Sequence, residues 1–159
     1  MNKIFKVGLI GCGHISETYF RGHNYFNNFQ IIKCADINQE NANKCAETYN
    51  IQACSVEDLL KDDEIEIILN LTIPRAHYEV AKQSLEHGKH VYSEKPMAVN
   101  FNEGEELLSL SKSKGLYIGN APDTFLGGGL QKSIDLINQD KIGNVRLGSA
   151  IFAYPGVQS

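Results

Sequence analysis

The residues best suited to chemistry begin with a glycine-rich turn, Gly11-Cys12-Gly13-His14-Ile15-Ser16, which follows an apolar run and precedes a helix-like segment. In such a turn Gly11 permits the tight bend, and Gly13 lets the backbone approach a pyrophosphate whose charge the helix N-terminus stabilises. Ser16 stands where the third glycine of the G-x-G-x-x-G pattern would be, and it is still small. An ordinary turn is the alternative, but the flanking strand and helix favour a dinucleotide-binding turn.

An acidic residue, Asp36, ends the second apolar run, near the spacing of roughly 20 residues at which dinucleotide-binding folds place an acid. A carboxylate there accepts hydrogen bonds from the hydroxyls of the adenosine ribose. It would repel the extra phosphate of NADP, and the next residues, Ile37 and Asn38, include no arginine to bind that phosphate. The sequence therefore predicts NAD rather than NADP; the alternative is a surface aspartate at a strand end.

Two further polar segments each follow a predicted strand: Asn70-Leu71-Thr72-Ile73-Pro74 and Glu94-Lys95-Pro96. Because ligands of doubly wound sheets bind beyond the carboxyl ends of the strands, we expect Thr72 and the backbone before Pro74 to line the cofactor. Lys95 could donate to a substrate oxygen and help to move its proton. The alternatives are a strand that simply ends at a proline and a solvated Glu–Lys ion pair.

Three histidines, His14, His77 and His90, could each serve as a general base, although none has the spacing of a metal ligand pair. Histidines near helix starts are often polar surface residues, so none of the three stands out. The glycines at 127–129 are not followed by Lys-Ser or Lys-Thr, so they do not form a P-loop and fit a flexible helix entry instead.

Strand-like and helix-like segments alternate along the chain with short loops. Strands are predicted at 4–10, 31–36, 65–71, 90–92, 116–119 and 145–154, and helices at 14–25, 41–49, 55–60, 75–87, 102–114 and 126–138. This order predicts an α/β fold, in which helices flank a doubly wound parallel sheet through right-handed crossovers.

Composition and charge exclude several classes of protein. The 159 residues include 15 Lys and Arg against 19 Asp and Glu, for a net charge of −4 and no basic run, so nucleic acid and anionic membrane are not expected partners. No apolar run approaches the roughly 18 residues of a membrane helix, and we expect a cytoplasmic location. The four cysteines, Cys12, Cys34, Cys45 and Cys54, lack metal-ligand spacing, so we expect reduced thiols and no metal.

Several of these features occur together, in this order, in one known family. They are the turn at 11–16, Asp36, Thr72-Ile73-Pro74 with His77, and His87-Gly88-Lys89-His90-Val91 running into Glu94-Lys95-Pro96. In these residues the chain resembles the Gfo/Idh/MocA family, the relatives of glucose-fructose oxidoreductase and inositol dehydrogenase. The resemblance extends from residue 4 to about residue 150, and its most specific part is Ile65–Met97.

The resemblance implies NAD(P)-dependent oxidation or reduction of a sugar, a cyclitol or a related hydroxyl or carbonyl substrate. The cofactor-binding residues that it implies are Gly11, Cys12, Gly13, His14, Ile15, Asp36, Thr72, Pro74, His77, Glu94, Lys95 and Asn120. Lys95 is implied as the catalytic residue that polarises the substrate oxygen, and the Lys95–Pro96 bond is expected to be cis.

Two departures from the family pattern bear on the substrate and on domain organisation. Many members carry an Arg-aromatic-x-Pro tract where this chain has Asn120 to Gly127, which leaves the substrate open. Full-length members also have a second domain, an open sheet that adds an Asp and a His to the active site and usually forms the dimer. We therefore expect residues 1–143 to be the Rossmann domain and residues 144–159 to be the first strand of a truncated second domain. The full-length protein would then be a homo-oligomer, and this chain alone would be inactive.

A non-catalytic module that senses NAD is the alternative function, and an interaction domain without a ligand is a third. Lys95 favours the enzyme, because a sensor has no need of a lysine at the nicotinamide. The presence of Gly11, Gly13 and Asp36 argues against a domain that has lost its ligand.

Overall fold

Alternating strands and helices make up most of the chain. The computed structural model describes residues 3–23, 25–121, 123–151 and 153. The strands are β1 (Phe5–Ile10), β2 (Phe29–Ala35), β3 (Gln52–Ala53), β4 (Ile67–Asn70), β5 (His90–Ser93) and β6 (Ile118–Asn120). The α-helices are α1 (His14–His23), α2 (Gln39–Tyr49), α3 (Val56–Lys61), α4 (Pro74–Glu86), α5 (Phe101–Lys114) and α6 (Gly128–Asn138), with a 3-10 turn at Asp123–Leu126.

The six strands form one parallel sheet in the order β3-β2-β1-β4-β5-β6. The chain builds outward from β1 through β2 to β3, and then returns to the other side of β1 with β4, β5 and β6. This reversal between β1 and β4 is the topological switch point at which open α/β sheets bind their ligands. The predicted doubly wound, Rossmann-type fold is therefore confirmed.

Apolar side chains cover both faces of the sheet. On one face, strand residues pack against Phe20 of α1 and Cys45 and Ala46 of α2, and the rings of Phe20 and Tyr49 stack with centroids 3.8 Å apart. On the other face, strand residues such as Ile68 and Val91 pack in two clusters that include residues of α3, α4 and α5. Each face is thus covered by helices, as expected for a parallel sheet.

Capping residues account for three helix boundaries that lie close to the predicted ones. The backbone N–H of Asp58 donates to the hydroxyl of Ser55, the N-cap of α3, at 3.0 Å. Gly88 follows α4 with a φ of 76°, and Gly115 ends α5 in the left-handed region. These conformations suit glycine, which explains why the two glycines mark helix ends.

Two strands differ from the prediction. β3 was not predicted, because two residues are too few to show a periodic pattern; it forms by pairing with Lys33 and Cys34 of β2. The strand predicted at 145–154 is not observed: residues 145–151 and 153 lie in no strand, and residues 152 and 154 lie outside the described residues. A strand exists only where another strand pairs with it, and within the described part of the chain none pairs with this segment.

The chain divides into two compact units, Met1–Pro122 and Asp123–Ser159. The first holds the whole sheet and helices α1 to α5. The second holds the 3-10 turn and α6, and none of the residues of α6 is buried. Gly127 is the N-cap of α6, which agrees with a helix entry at the glycine triplet.

Candidate functional site

The candidate site begins where the turn after β1 meets the backbone after β4. Gly11 has a φ of 101°, a conformation that L side chains rarely adopt. A Cβ on Gly11 would lie 2.6 Å from the carbonyl of Leu71 and 2.8 Å from the backbone nitrogen of Thr72. Only glycine permits both this conformation and this approach. The two strands at the switch point are therefore in direct backbone contact at their carboxyl ends.

The next part of the turn is open. A Cβ on Gly13 would meet no atom within 4 Å, and the side chains of His14 and Ile15 are exposed. The buried hydroxyl of Ser16 donates to the carbonyl of Gly13 at 2.7 Å, which fixes the turn against the first turn of α1. The first N–H groups of a helix have no partner within that helix, so they are available to an anion. This cradle fits a phosphate group.

Asp36 lies beside the turn, directly after β2. The backbone N–H of Cys12 donates to its Oδ2 at 2.7 Å, and the N–H of Asn38 donates to its Oδ1 at 2.8 Å. Each carboxylate oxygen therefore has a lone pair left for a further donor. The half-buried carboxylate is held in place by backbone groups and can accept hydrogen bonds from two neighbouring hydroxyls, as a ribose offers.

The backbone after β4 is held by two buried polar side chains, Asn70 and His77. Asn70 accepts from the hydroxyl of Thr72 at 2.7 Å and donates to the carbonyl of His77 at 3.0 Å. The imidazole of His77 is 1% exposed, with Nε2 at 2.8 Å from the carbonyl of Thr72 and Nδ1 at 2.5 Å from that of Pro96. Both ring nitrogens thus lie against backbone carbonyls, so His77 joins the segment after β4 to the segment after β5. Its expected contact with the cofactor stays a prediction.

Glu94 lies directly after β5 and accepts hydrogen bonds from two other elements. Tyr19 donates to its Oε1 at 2.7 Å, and Asn120 donates to its carbonyl at 2.8 Å. The next residue, Lys95, is exposed, and among the described residues its amine forms no ion pair. The Lys95–Pro96 bond is cis, as predicted. The exposed amine of Lys95 therefore has no ion-pair partner within the described residues. It directly follows Glu94, which is held by these hydrogen bonds.

The structure separates the three candidate histidines. His14 is exposed at the first residue of α1, beside the open turn. His90 begins β5, at the opposite edge of the sheet from the site, and its Nδ1 accepts from the N–H of Tyr117 at 3.0 Å. His77 is buried, as described above. Only His14 therefore remains at the site with an exposed side chain.

Two residues of the site were missed by the sequence analysis as ligand-positioning groups. Tyr19 was not named as a candidate, although its hydroxyl donates to Glu94. Asn70 was recognised only as part of a strand end. An amide within the apolar run 65–71 was the available signal, since a buried polar side chain needs partners.

The spacing of the cysteines in the sequence gave no sign that three of them form a cluster. Cys12, Cys34 and Cys45 come from the turn, β2 and α2, and their sulfur atoms all lie within 4.8 Å of one another. The thiol of Cys12 donates to the carbonyl of Ala35 at 3.6 Å, and the thiol of Cys34 donates to that of Ala42 at 3.4 Å. The neighbouring thiols of Cys12 and Cys34 hold the pKa of Cys45 below its usual range. The pKa of Cys12 is raised by the proximity of Cys34 and Cys45 and by burial. The three thiols therefore titrate as a group.

The comparison with known families decides the assignment. The Gfo/Idh/MocA model, described as an oxidoreductase family with an NAD-binding Rossmann fold, matches residues 5–121. The chain belongs to this family. The match covers the glycine-rich turn, Asp36, the segments after β4 and β5, and β6.

Relatives of this Gfo/Idh/MocA chain include enzymes. It is 32% identical to glucose-6-phosphate 3-dehydrogenase of Bacillus subtilis over 117 residues, which are 69% of this chain and 33% of that protein. Biliverdin reductase from Synechocystis, solved with biliverdin and NADP+, is 27% identical with a TM-score of 0.76, over 84% of this chain and 42% of that one. A putative NADPH-dependent oxidoreductase from Desulfitobacterium hafniense has a TM-score of 0.83 at 23% identity, over 90% and 42%.

The Gfo/Idh/MocA chain spans less than half the length of each of these three proteins. Within its described residues, no helix is long and apolar enough to cross a membrane.

Proposed function

We propose that this chain binds NAD and is the cofactor-binding part of an oxidoreductase that transfers a hydride between nicotinamide and a hydroxyl or carbonyl group. The observation that carries the proposal is the open backbone at Gly13 beside a carboxylate, Asp36, whose two oxygens each accept a backbone N–H. The open backbone at Gly13 suits a phosphate, and the carboxylate of Asp36 suits a ribose. Bound NAD would supply the hydride acceptor, and NADH the donor.

Different residues of the chain bind different parts of the cofactor. In this proposal the backbone from Gly11 to Ile15 binds the pyrophosphate, and Asp36 binds the adenosine ribose. Thr72 and Pro74 line the cofactor from the segment after β4. His77 acts through the backbone that it joins rather than through a free nitrogen.

The end of β5 is the proposed position of the chemistry. Lys95 is the proposed catalytic residue, and its amine would give a proton to the substrate oxygen in reduction and favour proton loss in oxidation. Glu94 and Asn120 adjoin the cofactor in this proposal, and their hydrogen bonds to Tyr19 and to the β5 backbone keep that edge in place. A module that only senses NAD would not need the exposed amine.

The substrate is proposed to be a sugar, a cyclitol or a related compound. One relative, glucose-6-phosphate 3-dehydrogenase, is named for a sugar phosphate, and this supports the proposed substrate class. Since the relatives are longer than this chain, the activity is proposed for a longer protein. A second domain beginning near residue 144 and a homo-oligomer remain part of the same proposal.

The choice of NAD over NADP is tested by substitution of Asp36. The wild-type chain should bind NAD more tightly than NADP, because the carboxylate binds ribose hydroxyls and repels a phosphate. A hydrogen bond to a charged group contributes about 1.5–3 kcal/mol, so Asp36→Ser should weaken NAD binding about 10- to 100-fold. Calorimetric titration of both cofactors gives the affinities.

The matched control is Asp63→Ser, since Asp63 is an exposed aspartate outside the site. It should leave both affinities unchanged. Equal binding of NAD and NADP by the wild type would contradict the proposed preference. Failure of the wild type to bind either cofactor would contradict the binding function itself.

A further inference from the structure

Three cysteines that lie far apart in the sequence converge on one side of the sheet. Cys12 follows β1 and is half-buried, whereas Cys34 of β2 and Cys45 of α2 are buried. All three sulfur atoms lie within 4.8 Å of one another. The fourth cysteine, Cys54, is not part of the cluster.

Three such sulfur atoms match the requirements of a thiolate metal site. Thiolates select soft cations such as Cu+ and Zn²⁺. With Zn–S bonds of about 2.3 Å, sulfur atoms arranged tetrahedrally around one zinc ion lie about 3.8 Å apart. The observed cluster therefore needs to contract by no more than about 1 Å to hold an ion.

A pocket gives an ion access to the cluster. Cys12 and Cys45 line a cavity of about 480 Å³ between α1 and α2, together with Ser16 and Lys44. Two of the three cysteines thus line this cavity, whereas Cys34 of β2 does not. An ion in the cavity would reach Cys12 and Cys45, whose sulfur atoms lie within 4.8 Å of that of Cys34.

We propose that Cys12, Cys34 and Cys45 form a three-thiolate binding site for a single soft d10 cation, Zn²⁺ or Cu+. Within the described residues no histidine or carboxylate joins the three sulfur atoms. Cu+ would be held by three sulfur atoms, whereas Zn²⁺ would take a water molecule as its fourth ligand. The thiols that are protonated before binding release their protons to solvent. The site does not depend on the proposed cofactor.

The test uses Cd²⁺ as a probe of thiolate coordination in the reduced chain. Titration should give thiolate-to-cadmium charge-transfer absorption that saturates at one ion per chain, and X-ray absorption spectroscopy should count three sulfur ligands. Zn²⁺ and Cu+, added in separate arms, should each be tested for displacement of the probe. Displacement by at least one of them is expected, and the ion that displaces Cd²⁺ more effectively is the preferred occupant.

Substitutions separate the cluster from the remaining thiol. Cys45→Ala should fold, because alanine is the best helix former, and it should bind Cd²⁺ at least about 100-fold more weakly, since even outer-shell changes cost 10–100-fold. Cys12→Ala, in the turn, is a second variant with the same expected loss. The matched control Cys54→Ala should bind as the wild type does.

Failure of both Zn²⁺ and Cu+ to displace the probe would overturn the proposal, and so would any of three further results. They are absence of charge-transfer absorption in the wild type at stoichiometric Cd²⁺, a count of fewer than three sulfur ligands, or equal affinity of the wild type and Cys45→Ala. Circular dichroism of each variant establishes that it is folded.

Discussion

His77 illustrates how a single side chain fixes two loops. Its ring nitrogens lie against the carbonyl oxygens of Thr72 and Pro96. The side chain of Asn70 donates a hydrogen bond to the backbone carbonyl of His77. These contacts join the ends of β4 and β5, the two strands that carry half of the candidate site. The ring therefore helps to hold the backbone that shapes the candidate site.

Replacement of this ring should destabilise the chain. His77→Leu keeps a side chain of similar size but removes the ring N–H that donates to one of these carbonyl oxygens, and a buried unsatisfied group costs about 1–3 kcal/mol. The free energy of unfolding in urea should fall by about 1–3 kcal/mol. His87→Leu, at an exposed histidine that ends α4, is the control and should change it by less than about 0.5 kcal/mol. A loss at His77 no larger than at His87 would show that the ring bonds contribute little.

Lys95 is expected to affect turnover rather than cofactor affinity. In the active full-length protein, Lys95→Ala should reduce turnover about 10²- to 10⁴-fold, the usual contribution of a positioned proton donor. NAD affinity should stay within a few-fold, because the amine acts on the substrate. Steady-state rates and a cofactor titration measure the two effects, with the exposed Lys112→Ala as control. Unchanged turnover would favour the non-catalytic, NAD-sensing alternative.

Among the helices, strands and turns, the sequence predicts those features that depend only on neighbouring residues. The glycine-rich turn and Asp36 were identified because a strand, a turn and a helix follow one another in the chain. The helices predicted at 55–60, 75–87 and 102–114 have ends close to Ser55, Gly88 and Gly115, because capping depends on a few neighbouring residues. These features need no knowledge of the tertiary structure.

Features that depend on long-range contacts could not be predicted. Tyr19 and Glu94 meet only after α1 and β5 take their places, and the three clustered cysteines belong to separate elements. The strand expected after residue 144 follows from an alternating pattern, but a pattern cannot provide a partner strand. Strand pairing and the convergence of distant side chains depend on the whole fold and not on any single segment.

The helices differ in how much they contribute to stability. Leu107 of α5 is fully buried in the cluster with Leu85 and Val91, so Leu107→Ala should lower the free energy of unfolding by about 2–5 kcal/mol. Ile134 of α6 is 44% exposed, and Ile134→Ala should change it by less than about 0.5 kcal/mol. Urea unfolding followed by circular dichroism compares the two. A large loss at Ile134 would mean that α6 has packing partners that the structure does not show.

For the molecule as a whole, the order of the strands decides where a ligand can bind. The crevice lies between β1 and β4 because the chain reverses its direction of winding there. Gly11, Asp36 and Lys95 come from distant parts of the sequence, yet all three follow the carboxyl ends of strands. One edge of the sheet therefore collects the three groups to which we assign the phosphate, the ribose and the substrate in the proposed function.

The pairing of β1 with β4 also has a consequence for the order of folding. Val7 pairs with Ile31 on one side and with Ile67 on the other, so one edge of β1 has no partner until the chain has been synthesised beyond β4. A nascent chain that ends before that point exposes an apolar strand edge, which is prone to pair with other chains. The contact between Gly11 and Leu71 must form equally late. On the ribosome, the two halves of the crevice thus come together only after nearly half of these 159 residues have been made.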